Sequence, residues 1–354
     1  MTGVLGSMIP GGYEQVVFCH DRRTGLRSII AIHDTTLGPA LGGVRMWPYA
    51  SEAAALEDCL RLARAMTYKA AAAGVNLGGG KSVVIADPAR DKSEALLRAH
   101  GRFIQSLGGR YIPGIDVGTS TDDLRVIAVE AERVSCIEGD PAPLTALGVL
   151  HGIRACVEAI FGEPSLEGRR AVVQGAGHVG AALARMLTVE GAEVAVSDVR
   201  DDLARAVAAE IGGTVVAADA AVTSDCDILA PCALGAVVDD TTALLLRCRI
   251  IAGAANNVLL EPRHADVLAQ RGILYAPDYV INAGGLIFIE EEMLGHTRER
   301  AEARVRGVGD AVRHVIARAR EQGTSTAAAA DRIAEERLAQ LASVGPGWVR
   351  HAPH

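Results

Sequence analysis

The chain contains 354 residues, of which 49% are hydrophobic, 22% charged and 3% aromatic, and this length is expected to fold into about two domains. The apolar content excludes a disordered protein, and the lack of any run of about 18 uncharged apolar residues argues against a membrane span. A net charge of −8 with few aromatic residues argues against a nucleic-acid partner, because neither a basic surface nor a base-stacking platform is available.

The N-terminus lacks the basic start and long apolar core of a signal peptide, so we expect a cytoplasmic protein. Seven scattered cysteines, none with CxxC spacing, are expected to be reduced thiols that serve in packing. Ten histidines are equally dispersed, and no ligand spacing predicts a metal site.

The first third of the chain mixes strand and helix patterns. β-rich runs at 14–19 and 27–33 flank a turn-like segment and predict a hairpin. Ser51 is the expected cap of a helix that ends near Gly74.

Three consecutive glycines at 78–80 predict a loop, which is followed by a strand at 82–86. Apolar residues at helical spacing then predict a second helix over about 96–107. A short strand at 110–115 is expected to end at Asp116.

The pattern becomes regular in the second part of the chain. A Gly- and Pro-rich stretch at 139–143 is the expected domain boundary. The expected helices lie at 145–161 and 178–190, and the expected strands at 170–174, 193–198, 214–217, 228–230, 250–252 and 274–276. This alternation of strands and helices predicts a parallel, doubly wound sheet.

The last part of the chain has the charge pattern of amphipathic helices. We expect two of them, at 298–322 and 326–341, the second capped by Thr324 or Ser325. The tail at 343–354 is expected to be irregular.

The strongest motif is the sequence GAGHVG at 175–180, which follows a predicted strand and opens a predicted helix. In a dinucleotide-binding turn, Gly175 permits the tight bend, Gly177 lets the backbone approach a pyrophosphate, and Gly180 allows close helix–strand packing. Asp198 ends the next strand, where it could accept hydrogen bonds from ribose hydroxyls and repel a 2′-phosphate. The motif therefore favours NAD over NADP, with Arg200 nearby as the opposing feature; a glycine turn without a ligand is the alternative.

Two lysines stand in apolar, glycine-rich surroundings, Lys69 late on a helix and Lys81 after the three glycines. Together they suggest an anion site in a cleft, where mutual repulsion and burial would lower the pKa of one lysine and make it a base. Asp116, at the end of a strand, is placed for proton transfer. Taken singly, either lysine could equally be a structural residue, and Asp116 could equally be a turn or helix-cap aspartate.

Ordered blocks along the chain resemble the leucine, valine and phenylalanine dehydrogenases, within the glutamate dehydrogenase superfamily. The blocks lie at 30–43, 66–69, 78–81, 116–119, 230–235, 252–257 and 275–285. The resemblance spans about residues 13–341, and its opening blocks are most similar to leucine dehydrogenases.

This resemblance implies an α/β fold with a Rossmann-type dinucleotide-binding domain and an N-terminal α/β domain for substrate binding and oligomerisation, with a cleft between them. The N-terminal domain is expected to comprise 1–143 together with a C-terminal helix at about 325–354. The NAD-binding domain is expected to be an insertion at 144–324. Relatives are homo-oligomers, and the hairpin at 14–33 is a candidate interface edge.

The resemblance also implies the reaction, an NAD-dependent conversion of an L-amino acid to its 2-oxo acid and ammonia. By that resemblance, Lys69 binds the substrate carboxylate with the backbone of Gly42 and Gly43. Lys81 is the general base that activates water, and Asp116 exchanges protons with the amino group.

Further positions follow from the same resemblance. Thr145 corresponds to a residue near the nicotinamide amide, and Asn257 to one near the ribose and the substrate. The residues of the side-chain pocket are Leu41, Gly114, Leu286 and Ile289. All four are uncharged, so we expect a hydrophobic substrate and no partner for a glutamate side chain.

The particular substrate stays open between two classes. A branched-chain, leucine-type amino acid leads, and phenylalanine or tryptophan is the alternative, because Gly114 opens room that Leu286 partly closes. A shortened loop at 136–143 resembles tryptophan-using relatives. A catalytically inactive dinucleotide-binding homologue is the alternative from a different class, which the intact Lys69, Lys81 and Asp116 argue against.

Overall fold

A computed structural model describes residues 3–136, 139–233 and 235–343. The chain divides into two compact units, one formed by the residues up to Asp140 together with the segment from Ala334, the other by Pro141–Ile333. The tail that we expect to be irregular lies, beyond its first residue, outside the described residues. Residues 137 and 138 of the shortened loop and residue 234 of one family block also lie outside them.

The first unit is built on strands, with helices on both faces of a sheet. In chain order its elements are α1 (Val4–Gly11), β1 (Gln15–Asp21), β2 (Leu26–Asp34), β3 (Ala40–Trp47), α2 (Glu52–Ala72), β4 (Gly78–Ile85), α3 (Glu94–Gln105), β5 (Tyr111–Ile115) and α4 (Thr121–Ala128). Strands β1 and β2 pair antiparallel, with Phe18 opposite Ile29, which confirms the predicted hairpin. The Ser51 hydroxyl accepts a hydrogen bond from the Ala54 N–H (3.1 Å) at the start of α2, which confirms the predicted cap.

The five strands lie in the order β1-β2-β4-β3-β5, with β3 parallel to both β4 and β5. Successive side chains of a strand point to opposite faces. Ile30 and Val84 therefore pack on the face covered by α3, and Ile29 and Val83 on the face covered by α2. Because both faces are buried, the centre of this sheet is the core of the unit.

The loop predicted at 78–80 is wrong, because β4 begins at Gly78. The glycines serve close packing within the sheet rather than a turn. A side chain at Gly79 would overlap Thr67 of α2, and a Cβ at Gly80 would lie 2.8 Å from the Tyr111 ring.

The second unit alternates strands and helices. Its elements are α5 (Ala142–Phe161), β6 (Arg170–Gln174), α6 (His178–Val189), β7 (Glu193–Ser197), α7 (Asp201–Ile211), β8 (Thr214–Val215), a 3₁₀ turn (Ala221–Thr223), β9 (Ile228–Pro231), α8 (Thr242–Leu245), β10 (Ile250–Ile251), α9 (His264–Gln270), β11 (Leu274–Tyr275), α10 (Asp278–Ile281), α11 (Gly284–Met293), α12 (Arg298–Arg306), α13 (Val308–Gln322) and the start of α14 (Thr326–Ala342). The strand order is β11-β10-β9-β6-β7-β8, and every neighbouring pair is parallel. This confirms the predicted parallel, doubly wound sheet.

The single helix predicted at 298–322 is wrong, because the chain forms α12 and α13 on either side of Gly307. Glycine weakens a helix interior, and the two helices bury Val305 and Val308 on different partners, α12 mainly on α11 and α13 on α5.

Helix α14 begins at Thr326, and from Ala334 onward it packs on the first unit. Ala334 is fully buried beside Leu37 and Ala71. The Tyr68 hydroxyl donates to Glu335 (2.9 Å), and Arg337 donates to the Ala71 carbonyl (2.9 Å).

Within the described residues, α5 is the one helix long and apolar enough to cross a membrane. More than half of its apolar window is buried in the second unit, where α13, α6 and α11 pack on it. It also carries Arg154 and Glu158. These features are those of a core helix.

Candidate active site

Lys81, in the middle of β4, meets Asp116, which directly follows the edge strand β5 of the first unit. Strand β3 lies between β4, which carries Lys81, and β5, which ends one residue before Asp116. The Lys81 ammonium contacts Asp116 Oδ2, and the Lys81 side chain is only 7% exposed. The two residues predicted for proton transfer are therefore in direct contact.

Gly43 of β3 packs directly against the Lys81–Asp116 pair. A Cβ on Gly43 would lie 2.6 Å from the Asp116 Cβ, 2.8 Å from the Ile115 carbonyl oxygen and 3.0 Å from Lys81 Nζ. Since carbon atoms in contact are normally about 3.5–4.0 Å apart, no side chain fits here without moving both charged groups.

Burial lowers the pKa of Lys81, and the positive charge of Arg45 lowers it further, whereas the Asp116 carboxylate opposes both. Burial alone would raise the pKa of Asp116, but Lys81 and Arg45 outweigh it, and that pKa lies below its ordinary value. A lysine with a lowered pKa matches the direction expected from the sequence. Arg45, which the sequence did not suggest, is a cationic neighbour that contributes to this shift.

Lys69 and Gly42 lie on elements that pack around the same strands. Lys69 is half-buried in the last turn of α2, two residues after Thr67, which packs against Gly79. A side chain on Gly42 would overlap the Gly80 carbonyl. The Gly42 carbonyl accepts a hydrogen bond from the Tyr111 hydroxyl (2.7 Å).

Two of the predicted pocket residues, Leu41 and Gly114, also lie in this sheet. Leu41 is buried in β3, and Gly114 of β5 pairs with Gly43. A Cβ on Gly114 would lie 3.0 Å from Ser135 Oγ and 3.6 Å from Cys136 Sγ. The space above Gly114 is therefore bounded by small polar and thiol groups.

In the second unit, residues 175–177 form a tight turn between β6 and α6, and residues 178–180 begin α6. Gly175 has φ +108°, and a Cβ there would lie 2.8 Å from the Ala233 Cβ. A side chain on Gly180 would overlap the Gly175 carbonyl, whereas a Cβ on Gly177, at the start of α6, has no neighbour within 4 Å. The turn and the helix–strand contact thus need glycine, and the space beside Gly177 is open at the helix N-terminus, as a pyrophosphate requires.

Asp198 lies directly after β7 and braces this turn. Its Oδ2 accepts from the Ala176 N–H (2.7 Å) and its Oδ1 from the Arg200 N–H (2.9 Å). Burial acts to raise the pKa of Asp198, but these two donors outweigh it and hold the pKa below its ordinary value. Each carboxylate oxygen keeps a lone pair that a ribose hydroxyl can use.

The other predicted residues of the second unit fall in two places. Thr145 lies on α5, and a Cβ on Gly285 of α11 would lie 2.7 Å from its hydroxyl; Leu286 is buried one residue further along and Ile289 is half-buried. Asn257 is exposed with φ +53°, and its carbonyl accepts from the Ala236 N–H (2.6 Å). Asn257 therefore has a left-handed backbone conformation, which asparagine adopts more readily than most residues.

Two residues of these sites are not among those predicted from the sequence. Arg45 interrupts the apolar run of β3, a signal that a charged side chain has a partner inside. Asn282 is 3% exposed and donates to Asn256 Oδ1 (2.8 Å), while its own Oδ1 has no hydrogen-bond partner among the described residues. A buried amide oxygen in that state is suited to accept from a bound ligand.

Within the described residues, no group of three or more His, Cys, Asp or Glu side chains is arranged to hold a metal ion. A doubly wound unit with an open helix N-terminus, in a chain that also carries a buried lysine–aspartate pair, is the arrangement expected of a dinucleotide-dependent enzyme.

Comparison with known proteins identifies the family. Residues 13–133 match the family described as Glu/Leu/Phe/Val dehydrogenase, dimerisation domain, and residues 203–344 match Glutamate/Leucine/Phenylalanine/Valine dehydrogenase. The chain is 50% identical over 345 residues to leucine dehydrogenase of Bacillus cereus, covering 96% of this chain and 94% of that protein. It is 47% identical over 339 residues to valine dehydrogenase of Streptomyces coelicolor, covering 93% of each.

Among solved structures, L-tryptophan dehydrogenase from Nostoc punctiforme superposes with a TM-score of 0.86 at 46% sequence identity, covering 96% of this chain and 99% of that one. The chain belongs to the Glu/Leu/Phe/Val dehydrogenase family and is an amino acid dehydrogenase. The resemblance and the fold class predicted from the sequence are confirmed. The motif at 175–180 lies between the two matched segments, so its assignment depends on the geometry described above.

Proposed function

We propose that this enzyme catalyses the reversible, NAD-dependent oxidative deamination of a hydrophobic L-amino acid, of the branched-chain leucine type, to the 2-oxo acid and ammonia. The observation that carries the proposal is the contact of buried Lys81 with Asp116 above Gly43. The leucine and valine dehydrogenases among its relatives support the substrate class.

Lys69 binds the substrate carboxylate, beside the backbone of Gly42 and Gly43. Loss of hydride from Cα leaves an imine, and water then attacks this carbon while neutral Lys81 takes the proton of the water. Asp116, ionised because its pKa is lowered, accepts a proton from the substrate ammonium before the hydride leaves. It returns this proton to the nitrogen of the carbinolamine that water addition forms. The C–N bond then breaks, ammonia departs, and the hydroxyl releases its proton to water as the carbonyl of the 2-oxo acid forms. Burial favours the neutral form of Lys81 that the attack of water requires.

The second unit fits a nicotinamide dinucleotide, because the space beside Gly177 is open and Asp198 offers acceptors for ribose hydroxyls. We assign Gly175, Gly177, Gly180 and Asp198 to cofactor binding, with Thr145 near the carboxamide. The cofactor supplies the acceptor for the hydride. We infer NAD rather than NADP, because the carboxylate of Asp198 would repel a 2′-phosphate.

We assign the substrate side-chain pocket to Leu41, Gly114, Leu286 and Ile289, with Asn257 near the substrate. None of them could neutralise a glutamate carboxylate. A second candidate function, oxidation of phenylalanine or tryptophan, is favoured by one observation. The L-tryptophan dehydrogenase from Nostoc punctiforme superposes on this chain with a TM-score of 0.86 at 46% sequence identity.

We further propose a homo-oligomer that assembles through the first unit, whose matching family is described as a dimerisation domain. Strand β1 lies at the edge of the sheet, and its Phe18 is 44% exposed. Such an edge can pair with a second copy. All seven cysteines are free thiols, which supports a cytoplasmic location.

The test is to mix the purified protein with NAD and, separately, leucine, valine, phenylalanine, tryptophan and glutamate, and to follow the absorbance of the reduced cofactor. We expect turnover with leucine and valine, and a weaker signal when NADP replaces NAD. Absence of turnover with every amino acid would identify an inactive homologue. Turnover with glutamate alone would refute the pocket assignment.

A further inference from the structure

Arg45 links the Lys81–Asp116 pair to a second carboxylate. Its Nε and Nη2 lie 3.3 and 3.4 Å from the two oxygens of Asp116, and its Nη1 donates to Asp58 Oδ2 (2.9 Å). The Arg45 side chain is 22% exposed and that of Asp58 is 17% exposed. The planar guanidinium thus bridges β3, the end of β5 and helix α2.

Asp58 is itself held in place by two further donors. The Tyr49 hydroxyl donates to Asp58 Oδ2 (2.6 Å), and Arg61 donates to Asp58 Oδ1 (2.7 Å). Arg61 is half-exposed and pairs with Asp58, whereas Arg45 contacts both Asp58 and Asp116. Asp58, which does not belong to the Lys81–Asp116 pair, therefore helps to fix the orientation of the Arg45 guanidinium.

The charged and titratable groups that act on Lys81 come from each neighbouring element. Asp116 approaches from the end of β5, Arg45 from β3, and the Cys59 thiol of α2 donates to the Lys81 carbonyl (3.4 Å). Burial raises the pKa of Cys59 to about 12, so this thiol carries no charge. Of these groups, the Asp116 carboxylate and the Arg45 guanidinium carry the charges that act on Lys81.

We propose that Arg45 is a positioning residue of the deamination, which holds the Asp116 carboxylate in place and, through its own charge, favours the neutral amine of Lys81. Without it, Asp116 would direct its whole charge at Lys81 and stabilise the ammonium, the form that cannot act as a base. The lowered pKa values of Lys81 and Asp116 both include a contribution from Arg45. This inference rests on the proposed function.

The experiment compares the pH dependence of kcat/KM for leucine oxidation in Arg45→Met, Arg45→Lys and Arg61→Met. The proposed base must be neutral, so the rate rises with pH through the pKa of Lys81. Loss of the Arg45 charge raises that pKa, and the acidic limb of Arg45→Met should move to higher pH by about one unit. In Arg45→Lys, which keeps the positive charge, the acidic limb of the pH profile should move by less than half as much. In Arg61→Met the acidic limb should stay in place.

Arg45→Met also leaves Asp58 with one cation fewer, so Arg45→Met/Asp58→Asn is made as well and its thermal unfolding recorded. A structural defect would lower the rate equally at all pH values, whereas the proposed role predicts recovery at high pH. An acidic limb that moves neither in Arg45→Met nor in Arg45→Met/Asp58→Asn overturns the inference. If wild-type protein oxidises no amino acid, the proposed function fails instead.

Discussion

Gly43→Ala tests whether the exact placement of the Lys81–Asp116 pair matters for the reaction. A Cβ at this position would lie 2.6 Å from the Asp116 Cβ and 3.0 Å from Lys81 Nζ. Because two carbons in contact are normally about 3.5–4.0 Å apart, Asp116 must retreat by about 1 Å. The ammonium must shift by less, about half an ångström, to restore ordinary contact.

We expect Gly43→Ala to lower kcat much more than it lowers folding stability. A misplacement of about 1 Å can reduce a rate about 100-fold, and we expect kcat for leucine to fall by about that factor. Overpacking of a filled site costs about 1–3 kcal/mol, so the variant should stay folded with a lowered Tm. KM should change less than kcat, because the added Cβ displaces Lys81 and Asp116, whereas Lys69 and the Gly43 backbone, the proposed partners of the substrate carboxylate, are retained.

Gly114→Ala is the matched control, since Gly114 pairs with Gly43 across the same ladder. Its Cβ would meet Ser135 Oγ at 3.0 Å and Cys136 Sγ at 3.6 Å, a contact that a small hydroxyl shift relieves. We expect kcat for leucine within about threefold of wild type, and kcat/KM for phenylalanine lowered about tenfold, as for lost pocket volume. The measurement is the steady-state kcat and KM of both variants and the wild type with leucine and with phenylalanine. A Gly43→Ala enzyme with wild-type kcat would refute the reasoning.

Lys81→Ala should lower kcat by about 10²–10⁴-fold, partly restored by an added small primary amine; a near-normal kcat would mean that another group is the base. Asp198→Asn should raise the ratio of kcat/KM for NADP to that for NAD by about tenfold, because the repelling charge is lost, and an unchanged ratio would contradict that role. His100 is fully buried between the hydroxyls of Ser28 and Ser82 (3.1 Å each), and burial lowers its pKa from 6.5 to about 4. The unfolded chain therefore binds more protons between those two pH values, and the folded state loses stability as pH falls through that range. Between pH 7 and 5, His100→Gln should lose about 2 kcal/mol less of its urea-unfolding free energy than wild type; equal losses would contradict the assignment.

The glycine turn between β6 and α6 was predictable because its parts are local. Gly175 and Gly177 lie in the turn and Gly180 in the first turn of α6, in the strand–turn–helix order that the sequence displays. The structure adds that Asp198 braces the turn through the Ala176 N–H.

The glycines of β4 show why local propensity fails in a packed sheet. Three glycines in a row predict a turn when read alone, but here they admit Thr67 and Tyr111 from other elements. Arg45 was missed for a related reason. It lies 71 residues from Asp116, in strand β3, for which the sequence pattern predicts no element.

The close packing of β3, β4 and α2 also explains how the Lys81–Asp116 pair can be buried on this sheet, and why the arrangement lowers the stability of the fold. Each glycine inside a strand weakens it by roughly 0.5–1 kcal/mol, and a buried ion pair is often no more stable than apolar residues of the same volume. Gly43 and the glycines of β4 are thus unfavourable for stability, but they let β3, β4 and α2 approach closely enough to bury Lys81. Burial in turn favours the neutral amine of Lys81. The lowered pKa of Lys81 and the local weakness of the sheet therefore have one cause, the absence of side chains on the glycines around it.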